Sequence, residues 1–171
     1  MLYQFIVPQF GNMLKNLSRI LEKAGAHAEA KKYDVDILLN SRLYPDQFNL
    51  IRQVQIACDT AKLGVARLTG KDAPVNDDEE KSLPELQARI EGTLNFLQSI
   101  DENDFKGAEE RKVSQPRWEG KYLNGLEFAI QHAIPNLYFH VTPAYSILRH
   151  NGFEVGKKDY LGEMPYKKPQ S

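Results

Sequence analysis

Four segments of this chain carry apolar residues at alternating spacings of four and three, and that repeat restricts the fold more than any other feature. In the first, Tyr3 to Lys31, the stripe is Ile6, Phe10, Met13, Leu17, Ile20 and Ala24. The second, opened by Pro45 and ending at Thr69, carries Leu50, Val54, Ala57, Ala61, Gly64 and Leu68, with Gly70 as its stop. The third follows a Ser82–Glu85 capping box and carries Leu83, Leu86, Ile90, Thr93, Leu97 and Ile100. The fourth, Leu123 to His150, presents Ala129, Ala133, Asn136, His140, Pro143 and Ile147. A stripe of this period is one face of an amphipathic helix, and a helix so striped must bury that face against another. The spacing therefore predicts helices over 5–25, 46–68, 84–99 and 125–149, packed side by side as a four-helix bundle. Pro8 falls near the start of the first, where its missing N–H matters least.

The connections differ in kind. "DVDILLNSRLYPDQF" reads as a short helical turn and a loop, and "TGKDAPVNDDEEKS" as a solvated acidic loop. Between Asp101 and Gly125 the period breaks. "ERKVSQPRWEGKYLNG" alternates around Val113 and Trp118 and holds two glycines and a proline, which predicts an irregular crossover with a short hairpin near Glu119–Gly120. After Gly152, "FEVGKKDYLGEMPYKKPQS" has little periodicity and is expected to pack loosely. The reading is an all-α single domain over 1–162 with a tail over 163–171.

A formal charge of −1 and no Lys/Arg-rich run give no pull toward nucleic acid or an anionic membrane. No stretch approaches the ~18 consecutive apolar residues of a membrane span, and the first segment is amphipathic rather than a signal sequence. The one cysteine, Cys58, forms no internal disulfide and no Cys-rich zinc site, and suits a reducing compartment, so a cytoplasmic location is expected. GxGxxG, GxxxxGK[ST] and GxSxG are all absent.

The chemistry concentrates on the second and fourth helices. His140 lies in the middle of the fourth stripe, and His132 lies two turns before it, too far along the helix to share a metal ion with it. The commonest role for such a residue is a hydrogen-bonded core histidine; ligand contact, catalysis and metal ligation stay open. His27 and His150, at helix ends, read as surface residues. Pro135 and Pro143 cannot donate to the carbonyls of Gln131 and Phe139 and should bend the helix. The small seam Ala57, Ala61, Gly64 either draws two backbones together or leaves a cleft, and the polar Asn136 and His140 favour a cleft. Asp59, flanked by Ile56 and Leu63, needs a partner such as Lys62 or Arg52 or else titrates abnormally. Gln53 and Gln55 are polar inserts whose default is the surface.

Taken together, "PNLYFHVTPAYSILRHNG", "RQVQIACDTAK" and "KKDYLG" resemble the domain of unknown function nineteen-ninety-three, a branch of the DinB-like metalloenzyme superfamily, over nearly the whole chain. The resemblance implies a DinB-like four-helix bundle with a crossover before the last helix, and often a homodimer. Members of the superfamily, which includes thiol-dependent transferases, bind a divalent metal through one histidine on the second helix and an HxxxH pair on the last. Aligning Leu148–Gly152 with the family's closing element puts His140 on the second of that pair and Asn136 on the first, and the second helix has no histidine. The expectation is a small-molecule binding protein with a cleft near His140, lined by Asn136, Asp59 and Gln53, and a degenerate metal site. No cofactor is predicted. A site holding zinc or nickel is the open alternative, with His140 and Asp59 as the candidate catalytic pair of a transferase-type enzyme. A dimeric scaffold without a ligand is the third class.

Overall fold

In the computed structural model, which describes residues 1–169, the four stripes become the interior of a four-helix bundle. Helix α1 spans Leu2–Lys31, α2 Leu50–Thr69 and α3 Leu83–Gln98. The fourth long helix is composite: α4 (Gly125–Phe128), a π turn (Ala129–Ala133) and α5 (Ile134–His150) follow without a break. All six residues of the α1 stripe, and Leu50, Val54, Ala57, Ala61 and Leu68 of α2, are buried at or near full coverage. Each large apolar side chain so buried contributes about 1.5–3 kcal/mol. The most extensive helix pairing is α2 with α5, and α1 closes the bundle against α3 and α5.

Local chemistry sets the boundaries. Ser82 and Glu85 form the expected capping box on α3, and Gly70, at φ 79°, ends α2. The start of α2 is later than the sequence suggests. Pro45 occupies the second position of a Tyr44–Gln47 turn, where its fixed φ serves equally well. The helix begins at Leu50, where Asn49 accepts the Arg52 N–H at 3.1 Å. Because α1 starts at Leu2, Pro8 lies past the first turn, inside the helix.

The crossover carries the predicted hairpin in minimal form: β1 (Lys112–Val113) pairs antiparallel with β2 (Leu123–Asn124), and Glu119 and Gly120 both adopt positive φ at its tip. Where this segment passes under the last helix, backbones almost touch. A Cβ on Gly125 would sit 1.8 Å from the Ala108 carbonyl oxygen. The π turn just beyond answers the proline problem. Ile134 donates to Ala129 five residues back, and Pro135 enters α5 at its first turn, where no N–H is required.

The segment after Gly152 packs more firmly than its sequence suggests. Phe153 and Val155 are buried, and α6 (Lys157–Leu161) lies on α1, where Lys23 pairs with Asp159. His27, expected on the surface, is half-buried with its ring 4.9 Å from that of Phe153, whereas His150 is exposed. Of the predicted 163–171 tail, 170–171 lie outside the described residues. No described helix is long and apolar enough to cross a membrane.

Candidate functional site

The small-residue seam between α2 and the last helix is closed. A Cβ added to Gly64 would already stand 3.5 Å from the Ala133 methyl, and Ala57, Ala61, Ala133 and Ala144 are fully buried or nearly so. Small side chains here draw backbones together. The opening lies on the flank of the seam. It is a 130 Å³ cleft whose polar walls are Asp59, Thr60, Arg67, Arg117, His132 and Asn136.

Of the four residues singled out from sequence, two line that cleft and two do not. Asn136 projects from α5 and donates its amide to Thr60 Oγ1 at 2.6 Å. Asp59 stands on the same wall, but Oδ1 is taken by Arg89 Nη2 at 2.8 Å and Lys62 Nζ at 3.2 Å. His140 and Gln53 are one turn deeper and seal the interior. The His140 ring is 6% exposed, and its Nδ1 lies 2.8 Å from Gln53 Oε1. Gln53 in turn donates to the Phe48 carbonyl at 3.2 Å, which fixes its amide orientation and makes His140 Nδ1 the donor. Burial, and then the charge of Arg52, push the His140 pKa down to about 4, so the ring is neutral at physiological pH. Asp59 and His140 therefore address different partners, not each other. Cys58, fully buried, is pushed up to about 12 by desolvation and stays a neutral thiol.

The metal site that the resemblance implies needs a set of strong donors. His140 offers one imidazole. Asn136 and Gln53 offer neutral amides already engaged in the protein, and both zinc and nickel favour imidazole and thiolate over amide. Among the described residues no three His, Cys, Asp or Glu side chains are grouped to hold a metal ion. The donors present do not fit a resident zinc or nickel.

Two features were missed in the sequence. The "TGKDAPVNDDEEKS" connection is tied down by buried cations, not left free in solvent. The Arg89 side chain is 1% exposed and bonds Asp59, Asp78 and Glu80 at 2.7–2.8 Å, and Lys62 donates to the Pro74 carbonyl at 2.8 Å. Arg52 reaches Asp78, and Gln55, buried despite its expected exposure, bridges Arg52 and Glu80. Second, His132 belongs to the cleft. Its ring stacks on Phe128 at 5.3 Å and 19°, meets the edge of Trp118, and takes a hydrogen bond on Nε2 from Arg117 Nη2 at 2.8 Å. The signal for Arg89 was readable: it sits three residues after Leu86 and four before Thr93, on the buried face. For His132 the hydrogen-bond partners Arg117 and Gln115 come from the crossover, so no helix period points to them.

The matched family model is "Domain of unknown function (DUF1993)", aligned over residues 2–161. The chain belongs to this family. It is also similar to a crystal structure of a DinB family member from Shewanella denitrificans, at 66% identity and a TM-score of 0.95, covering 99% of this chain and 96% of that one. No curated protein matches it. The bundle, its crossover and the composite last helix are thus those of a DinB-like family member.

Proposed function

We propose that this DinB-like chain binds a small molecule in the cleft between α2 and the last helix, one turn from His140, and that the ancestral metal position has become structural. The supporting observation is convergence: Asp59, Thr60, His132 and Asn136 meet at one concavity although they come from two helices. The His140–Gln53 hydrogen bond, one turn away along the helices, occupies the donors that a metal would need. A reducing, cytoplasmic setting agrees with the lone buried thiol. The test is a fragment screen by amide NMR. Compounds that bind should shift the resonances of Thr60, Ala133 and Asn136, and Asn136→Leu should abolish those shifts. A diverse library with no hit at these amides would remove the reading.

A second reading concerns assembly. An open apolar groove of 660 Å³ runs between α1 and the last helix, where Phe5 is 60% and Ile130 56% exposed. Exposed apolar surface of this kind is a common dimerisation face. The proposed homodimer would cover it, and Ile130→Glu should then shift light-scattering mass toward the monomer. A wild-type monomer at every concentration would rule the dimer out.

A further inference from the structure

The cleft has an unbalanced wall. Arg67 leaves α2 in its last turn, and the short 3-10 turn Pro116–Trp118 brings Arg117 toward it from the crossover. Neither guanidinium has a carboxylate within ion-pair distance among the described residues, whereas the buried cations Lys62 and Arg89 are both paired with carboxylates. A position in the last helical turn explains one cation there. It does not explain a second cation beside the first, since like charges at close range repel.

His132 and Gln115 stand beside Arg117 on the same wall. Nε2 of His132 faces Arg117 Nη2 at 2.8 Å and Gln115 Nε2 at 3.4 Å. Both neighbours are donors, so Nε2 is the acceptor and the ring proton sits on Nδ1. That Nδ1 is buried without a partner. Burial and the positive charges of Arg117 and Arg67 hold His132 below the ordinary histidine range, and burial and Arg117 hold Arg67 below the ordinary arginine range. The one carboxylate on the wall, Asp59, has Oδ1 committed to Arg89 and Lys62.

We propose that Arg67 and Arg117, the latter held in place by its hydrogen bond to His132, form a receptor for an oxyanion head group, carboxylate or phosphate, carried by the small molecule. The inference rests on the cleft being a ligand site. Paired guanidiniums grip such groups through several parallel N–H bonds. The size agrees. A 130 Å³ space holds about four waters at ~30 Å³ each, well below the roughly 300–1,000 Å³ of a site that encloses a whole ligand. The head group would enter and the remainder of the molecule would lie outside.

The test titrates the full chain with inorganic phosphate and with malonate at constant ionic strength, by calorimetry and by histidine NMR. One-site, saturable binding of at least one anion is expected, and phosphate alone or malonate alone would identify the head group. Arg67→Gln and Arg117→Gln should each weaken it roughly tenfold or more, as loss of a charged hydrogen bond does. Lys71→Gln, remote and paired with Asp104, should leave it unchanged. Saturation should also raise the pKa of His132, which faces Arg67, Arg117 and Asp59, because an adjacent anion favours the imidazolium. Arg117 is exposed, so its variant should fold and carry the test even if Arg67→Gln does not. No saturation by either anion, or equal affinity in the doubly substituted protein, would overturn the proposal. If neutral fragments shift Thr60 and Asn136 while neither anion does, the head-group inference falls and the cleft reading stands.

Discussion

Helix α2 has two polar flanks, and they are built on opposite principles. On the flank facing α3, three cations (Arg52, Lys62, Arg89) meet three carboxylates (Asp59, Asp78, Glu80) within 3.2 Å. On the flank facing the crossover, no carboxylate among the described residues lies within ion-pair distance of Arg67, Arg117 or His132. The first cluster is balanced in charge, with only Arg89 Nε of its buried side-chain atoms left without a partner among the described residues. It anchors a long connection that has no helix or strand of its own, and every charged group in it already has an opposite charge beside it. The second has donors in excess and a concave shape. Charge balance, more than the number of polar groups, separates a structural network from a binding site.

The sharpest way to break this comparison is at Arg89. Arg89→Met removes the hub and leaves three carboxylates facing one another. Losing one member of a buried ion-pair network costs about 3–5 kcal/mol, and the partial exposure of Asp59 and Asp78 places the expected loss near the lower end. Urea unfolding measures it, and a loss below about 1 kcal/mol would mean that the connection is not held by this cluster. The pH dependence follows from the same charges. Arg89 holds Glu80, and Arg52 and Arg89 hold Asp78, below the ordinary carboxylate range despite desolvation. Their folded pKa values lie below the unfolded ones, so their stabilisation is present above the unfolded values and is lost as pH falls through the folded ones. Wild-type stability should decline steeply in that acid limb, and Arg89→Met should flatten it.

His140 tests the buried hydrogen bond that joins α2 to the last helix. His140→Leu leaves Gln53 Oε1 buried without a donor, a loss of about 1–3 kcal/mol. The sign of the pH effect is that of a depressed base. Between the unfolded value of about 6.5 and the folded value of about 4, the unfolded chain binds the extra proton, so wild-type stability falls with pH across that window. This window lies above the carboxylate limb, so the two can be separated in one series of unfolding curves. Imidazole NMR checks it directly: His140 should remain neutral at pH 5, and a His140 protonated there would show that the ring is solvated.

What was legible in the sequence, and what was not, follows the same divide. Apolar spacing located all four long helices, because burial of a stripe is a local property of each segment. The hairpin was legible from Glu119–Gly120, where positive φ is needed. Pro45 misled because a proline serves a turn and a helix start alike. Gln53, Lys62 and Arg89 were each at core spacing: Gln53 lies three after Leu50 and four before Ala57, and Lys62 four after Cys58 and three before Val65. Polar residues at such positions must be paired, and that would have flagged them. The partners of Lys62 and Arg89 in the 70–82 connection could not be named, since an irregular segment has no period to place its side chains. The cleft was half legible. Asn136 and Asp59 were named, but Arg117 and His132 meet only through the fold of the crossover.

The smallest expected effect decides most about the second flank. If Arg117 is there for a ligand, the empty protein gains little from it. Arg117→Gln forfeits one exposed hydrogen bond to His132 and relieves repulsion from Arg67. These effects oppose each other, so the unfolding free energy should change by no more than about 0.5 kcal/mol, as at ordinary surface positions. Salt gives the finer reading. Screening weakens like-charge repulsion within about a Debye length, ~10 Å at 0.1 M. Added sodium chloride should therefore stabilise the wild type slightly more than the variant. A loss above 1 kcal/mol in Arg117→Gln would instead make this arginine structural, and the two flanks of α2 would then be alike.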